Sequence, residues 1–289
     1  MNQIPIVMIA FWSGTYPWYF PYFVHSCQFN PTIDFVIISD NTDTVLNLPD
    51  NLKIIHKTLQ EMEDIASQKL GFSAAIKHAY KLNDFKPAYG YIFSEIVSGY
   101  DFGGHMDLDI ILGNLREFLT NEMLSTYDFI SVRHDYTAGC FCLYKNTEKI
   151  NKLFMLNIDY KLVLSTPKHY CFDECNFAWD FLMIGKSIID LHTEIESFTE
   201  VAKKAELSGY IKAHFDFILM EGITGRIVFD HGRIIYKNQF EAILYHLFWL
   251  KKVYSPTKNI NKIPDKYYIS PTRIYHSRSK PVLKQADVK

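Results

Sequence analysis

Glycine and proline are scarce in this 289-residue chain, at 13 and 11 residues. With 48% hydrophobic and only 21% charged residues, collagen-like, low-complexity and disordered classes are excluded for the chain as a whole. A surplus of one charge is also lacking: 30 Lys and Arg stand against 32 Asp and Glu, a formal net charge of −2. A general nucleic-acid binder needs a basic excess, so nucleic acid is not an expected partner. No apolar run reaches the ~20 residues of a membrane-spanning helix; the nearest, Phe240 to Leu250, is about half that and contains His246. No basic leader precedes the first apolar run, which Ser13-Gly14 cuts short, so that run reads as a strand and not a signal peptide. Cysteine is sparse and odd in number: Cys27, Cys140, Cys142, Cys171 and Cys175. Neither Cys140-x-Cys142 nor Cys171-x3-Cys175 is a CxxC knuckle, and both lie in apolar runs, so buried reduced thiols in a cytoplasm are expected, not zinc ligands.

What is present is an alternation of apolar strands and helical stretches. Ile4–Trp12 and Ile33–Ser39 read as strands buried on both faces, with a helix over Tyr16–Cys27 between them. Leu52–His56 gives a third strand, and Leu59–Leu70 a helix closed by Gly71. Helices are expected over Phe72–Lys81, from Pro87 to Val97, over Thr147–Leu156 and over Phe172–Ile184. Gly225–Tyr236 reads as a hairpin turning at Asp230-His231-Gly232. This spacing predicts an α/β domain with a mainly parallel sheet. Residues 251–289 differ: ten Lys/Arg against two Asp/Glu give a local +8 and leave −10 for residues 1–250. With four prolines, this end reads as a basic arm, either a peripheral hold on an anionic cytoplasmic leaflet or a solvated tail.

The most informative segment is Tyr100–Asn114, where a short apolar strand runs into Asp107-Leu108-Asp109. Acids two apart at a strand end can both reach one divalent cation, and Mg²⁺ or Mn²⁺ held by one or two carboxylates is the usual partner of a diphosphate. A solvated strand end is the plain alternative for such a pair. Its place after a β-α-β opening, where a nucleotide-binding half ends at the carboxyl edge of its sheet, favours the metal. Gly103-Gly104 are expected to allow close backbone approach to the ligand. Asp173-Glu174 offers a carboxylate for proton transfer, or alternatively caps a helix.

The runs YKLNDFKPAYG (Tyr80–Gly90) and YDFGGHMDLD (Tyr100–Asp109), with Phe172-Asp173-Glu174 and Tyr245-His246-Leu247, together resemble bacterial polysaccharide-locus glycosyltransferases of the GT-A fold. The similarity spans most of residues 1–250 and is greatest to a branch with a pattern near YKLCDFKPAYG…YDFWGYCDxDxxxGxL. Asn83 departs from a common Cys, and Gly103 from a common Trp that would wall the metal more tightly. The resemblance implies an α/β GT-A unit with a mainly parallel sheet, a nucleotide-sugar-binding half over 1–112 and an acceptor half over 113–250. It implies a nucleotide-diphospho-sugar donor, UDP-sugar favoured, and a glycan or lipid-linked acceptor. It implies Mn²⁺ or Mg²⁺ on Asp107 and Asp109 with His246 completing the shell, although a lone His in an apolar strand is also simply a buried, hydrogen-bonded side chain. Asp84 is implied to accept hydrogen bonds from ribose or sugar hydroxyls, Lys86 and Lys81 to lie near the phosphates, and Asp40 to contact base or ribose. The expected location is cytoplasmic, with residues 251–289 the part that meets a membrane.

Two other classes compete. A sugar nucleotidyltransferase or DxD phosphotransferase would use the same acids, but the first-strand loop Ser13-Gly14-Thr15-Tyr16 lacks the basic residue the former needs. A non-catalytic sugar-binding protein would keep the fold without turnover.

Overall fold

A computed structural model of the chain describes residues 3–256 and 262–276. The chain is mixed α/β. Its central sheet comprises β1 (Ile6–Trp12), β2 (Ile33–Ser39), β3 (Leu52–His56), β4 (Phe102–Met106), β6 (Phe129–Ser131), β7 (Phe141–Lys145) and β8 (Ala213–Phe215), and β5 (Ile110–Leu112) lies outside it. The order is β3-β2-β1-β4-β7-β6-β8, with β7 alone running against the other six, so the sheet is mainly parallel as expected. Continuous apolar sequence suits strands covered on both faces, and Ile6–Ala10 is buried throughout.

The local signals explain the first helices. Helix α1 (Phe20–Cys27) has a proline in its first turn, which needs no backbone N–H there. Helix α2 (Leu59–Leu70) opens on a Thr58–Glu61 capping box and closes on Gly71 at φ 75°.

A second sheet holds β9 (Ile227–Asp230), β10 (Arg233–Tyr236), β11 (Phe240–Ala242), β13 (Lys266–Ile269) and β14 (Ile274–Tyr275), all antiparallel, in the order β11-β10-β9-β13-β14. The hairpin expected at residues 225–236 is β9–β10, with His231 and Gly232 supplying the left-handed turn. The remaining strand, β12 (Leu244–His246), pairs antiparallel with β5. Among the described residues no helix is long and apolar enough to cross a membrane.

Several expectations fail, each for a local reason. Residues 262–276 are part of the body and not a separable arm. Tyr267 is fully buried, stacked on Phe229 at 4.6 Å and edge-on to Tyr22 at 5.3 Å, so aromatic burial outweighs the basic composition of this end. Residues 257–261 and 277–289 of the expected arm lie outside the described residues. Residues 72–78 form no helix, tied by Ala75 N–H to the Leu164 carbonyl and by Ile76 N–H to Glu63, and a 3₁₀ stretch over Ala79–Ala88 carries Pro87 inside it, not at its start. Helix over 172–184 shrinks to Trp179–Met183, because Asn176 and Phe177 adopt left-handed φ of 49° and 63°. Thr147–Leu156 splits into Glu148–Asn151 and a 3₁₀ turn, Leu153–Leu156.

Gly103 and Gly104 serve packing and not ligand approach. A Cβ on Gly104 would lie 2.5 Å from the Cys142 carbonyl, and one on Gly103 2.9 Å from Val97, both inside the sheet's cover. All five cysteines are free and buried, as expected.

If residues 266–269 belong to the core, Tyr267→Ala costs about 3–5 kcal/mol, the usual range for truncating a buried aromatic. Urea unfolding measures it; a loss below about 1 kcal/mol would return this segment to a surface arm.

Candidate metal centre

β4 ends at Met106, and Asp107 follows with its N–H still bonded to the Cys140 carbonyl at 3.1 Å, extending the β4–β7 ladder by one residue. The chain then turns into β5, whose Ile110 pairs with His246 of β12. Leu247 N–H donates to the Asp109 carbonyl at 2.8 Å, so the two-stranded ladder fixes Asp109 beside His246. One ligand atom from each of Asp107, Asp109 and His246 lies within 4.8 Å of the others. The register of three residue pairs thus brings together side chains more than 130 positions apart.

His246 is held from behind. Its N–H donates to the Met220 carbonyl at 2.8 Å, Met220 N–H donates to the Leu244 carbonyl at 2.8 Å, and Glu221 Oε1 sits 2.9 Å from His246 Nδ1. With Nδ1 engaged by a carboxylate, Nε2 faces Asp109 Oδ2 at 3.4 Å. A carboxylate on the far nitrogen is the common support for a metal-binding imidazole. Arg133 in turn holds Glu221 at 2.8 Å and Asp135 in a two-pronged pair.

The electrostatics are balanced carboxylate by carboxylate. Burial raises the Asp109 carboxyl, but His246 and Lys251, whose Nζ is 2.5 Å from Oδ2, more than offset it and hold it well below the usual range. Lys86 is buried with Nζ at 2.6 Å from Asp107, 2.8 Å from the Gly139 carbonyl and 3.7 Å from Asp173. Burial lowers this ammonium and the two acids raise it further, so it stays charged. Asp173 is pushed well above the ordinary aspartate range by burial, which Lys86 only partly counters. Glu174 is also raised by burial, while accepting from Gly139 N–H at 3.0 Å and Trp179 Nε1 at 2.9 Å. A Cβ at Gly139 would stand 2.6 Å from Glu174 and 2.8 Å from Asp173, so glycine is what lets both carboxylates close on this loop.

Seven of the nine residues expected at the site are open to that role, and two are not. Asp107, Asp109, His246, Lys86, Asp173 and Glu174 converge. Asp40 lies apart, at the carboxyl end of β2, accepting from Ser13 Oγ at 2.6 Å and Gly14 N–H at 2.7 Å, and so shaping the first loop. Lys81 and Asp84 are closed to any ligand, both side chains being fully buried. Lys81 Nζ spends its three donors on Asp84 at 2.8 Å and on the Val163 and Lys168 carbonyls at 2.6 Å. Asp84 accepts from Tyr170 N–H and Phe172 N–H, each at 2.9 Å, and so pins the segment that leads into Asp173. Glu221, Lys251 and Arg133 escaped the sequence reading, since nothing in their surroundings along the chain marks them. The cavity of about 430 Å³ bounded by Arg226, Lys237, Tyr268 and Tyr275 is lined by none of these residues.

The donor set, two carboxylates and one imidazole with a carboxylate behind it, fits a divalent ion such as Mn²⁺ or Mg²⁺. The chain is therefore a mixed α/β protein with a candidate Asp-Asp-His metal centre where the parallel strand β4 ends. It belongs to the DUF6625 family, a family of unknown function whose profile matches residues 8–278. No curated protein matches it. Among solved structures it is similar to mouse xyloside xylosyltransferase 1 in its apo form, with TM-score 0.44 and 8% identity over 84% of this chain and 97% of that one. It is also similar to the galactosyltransferase LgtC in complex with donor and acceptor sugar analogues, with TM-score 0.36 and 11% identity over 75% of this chain and 76% of that one. Likenesses this distant carry no argument, and the functional reading below rests on the side chains.

Removing Asp84 strands a buried ammonium, so Asp84→Ala costs about 3–5 kcal/mol. Burial raises the Asp84 carboxyl, and His169 and Lys81 more than reverse that, leaving it below its ordinary value. A depressed carboxylate stabilises above the unfolded pKa of about 3.9 and ceases to as pH falls through the folded value. The stability gap between wild type and Asp84→Ala, followed by thermal unfolding, is accordingly full above about pH 4 and narrows below it.

Proposed function

We propose that the chain is a metal-dependent glycosyltransferase of GT-A type, moving a sugar from a nucleotide-diphosphate donor to a hydroxyl of a glycan or lipid-linked acceptor. The observation that carries the reading is the convergence of Asp107, Asp109 and His246, with Glu221 behind His246, where β4 gives way to β5. Bound there, a divalent ion would supply Lewis acidity to a departing diphosphate. Asp107 and Asp109 would each offer an oxygen, and His246 would offer Nε2 while Glu221 keeps its Nδ1 proton in place.

Lys86 orients Asp107 and lies on the side facing Asp173. Asp173 and Glu174 are the candidate proton acceptors for the acceptor hydroxyl, since burial raises both carboxyls above their ordinary values and so makes each carboxylate a stronger base. Asp40 and the Ser13-Gly14 loop that it holds sit at the carboxyl edge of β1 and β2, where a nucleotide meets such sheets. Residues 1–112 are accordingly read as the donor half and 113–250 as the acceptor half, with a UDP-sugar the favoured donor and Mn²⁺ or Mg²⁺ the ion.

Purified protein with Mn²⁺ and UDP-sugars should release free sugar slowly by donor hydrolysis. Asp109→Ala should abolish that release, and Glu221→Gln should weaken Mn²⁺ binding by about 10–100-fold in calorimetric titration. Hydrolysis undiminished in Asp109→Ala would end the reading. Binding of the donor without any turnover, with every sugar nucleotide tried, would favour the non-catalytic alternative.

A further inference from the structure

Around Asp173 and Glu174 runs a row of aromatic rings that the roles above leave unused. Tyr80 meets His169 edge-on at 4.6 Å, His169 meets Phe177 at 5.7 Å and 85°, and Phe177 meets Trp179 at 5.6 Å and 81°. Trp179 joins the row to the acids through its Nε1 bond to Glu174 Oε2. At the other end, His169 Nδ1 lies 3.1 Å from Asp84, the residue that pins the approach to Asp173. Phe177 and Tyr80, at the middle and the end of the row, stay 49% and 65% exposed.

Phe177 is also strained. It holds φ at 63°, a conformation that bulky side chains avoid, and Cys171 and Asn176 in the same stretch hold 53° and 49°. The Asn176 side chain keeps this geometry, donating to the Tyr170 carbonyl at 2.7 Å and accepting from Glu194 N–H at 2.9 Å. The fold thus bears the cost of turning an aromatic ring outward beside its buried carboxylates and recovers little packing from it. Strain of this kind concentrates where a ligand is met.

We propose that Tyr80 and Phe177, braced by His169 between them, form a saccharide platform, the acceptor subsite, on which a pyranose lays its apolar C–H face with a hydroxyl toward Asp173 and Glu174. The inference deepens the glycosyltransferase reading and rests on it for the word acceptor. A pyranose matches the site because it has one face of C–H groups for the rings and an edge of hydroxyls for the carboxylates. Phe177 supplies the central face, and Tyr80 adds a hydrogen-bonding hydroxyl at the rim.

The test is saturation-transfer NMR with the methyl glycosides of glucose, galactose, mannose and N-acetylglucosamine, on wild type, Phe177→Gly and Phe177→Trp. Wild type should transfer saturation to the ring C–H protons of at least one glycoside. Phe177→Gly should weaken that transfer by tenfold or more while raising the thermal midpoint by roughly 2–4 °C, since glycine relieves the left-handed strain. Phe177→Trp should retain binding. Transfer to none of the four glycosides, or equal transfer in wild type and Phe177→Gly, overturns the platform. The same wild-type sample is titrated with UDP and Mn²⁺. Stabilisation by UDP with no glycoside binding sinks the platform alone, and glycoside binding with no UDP response sinks the UDP-sugar donor and leaves the saccharide site standing.

Discussion

Six carboxylates gathered into one poorly solvated region compete for the cations around them, and much of this structure follows from that constraint. Two like charges 4 Å apart repel by about 4 kcal/mol at the effective dielectric of a protein surface, and more where water is excluded. Here Asp84 has Lys81, Asp107 has Lys86, Asp109 has Lys251 and His246, and Glu221 has His246 and Arg133. Asp173 has only a share of Lys86, at 3.7 Å, and is the carboxyl that burial pushes well above its ordinary range. The arrangement separates the acids that have a cation close by from Asp173 and Glu174, whose carboxyls burial raises.

The backbone is arranged to serve that gathering. The β5–β12 ladder lies outside the main sheet and puts His246 opposite Ile110, next to Asp109. The segment ending at Glu221 lies along β12 through the bonds of Met220. Asp84 grips the backbone of Tyr170 and Phe172 and so sets where Asp173 begins, and the glycine at 139 clears the space into which Asp173 and Glu174 close. The C-terminal strands complete the second sheet, and the single turn Leu250–Val253 that leads toward them carries Lys251 to Asp109.

The sequence made the architecture legible wherever the signal was local. Apolar runs of strand length, the Thr58–Glu61 box and Gly71 each specify their element without help from distant residues, and Asp107 and Asp109 announce a site through their place at a strand end. Direction was the harder question. Asp84 and Lys81 stand three apart in a short connection, and spacing alone does not say whether they face solvent, a phosphate or each other. Burial decided for each other, since besides their mutual bond they engage four backbone groups, which leaves nothing for a ligand to supply. Glu221 and Lys251 were illegible because their partners lie 25 and 142 positions away, and the basic composition of residues 251–289 concealed the buried aromatic strand within it. The helix expected over 172–184 failed because left-handed Asn176 and Phe177 are not glycines, so the residue types gave no sign of the break.

The central claim is that Asp107, Asp109 and His246 hold one divalent ion. Anomalous diffraction at the manganese edge, from crystals of the wild-type protein grown with Mn²⁺ and UDP, addresses it without reference to turnover. The account predicts a single strong peak within about 2.0–2.3 Å of an oxygen of each aspartate and of His246 Nε2, with Glu221 still on Nδ1. A peak elsewhere, or none at millimolar Mn²⁺, would contradict it.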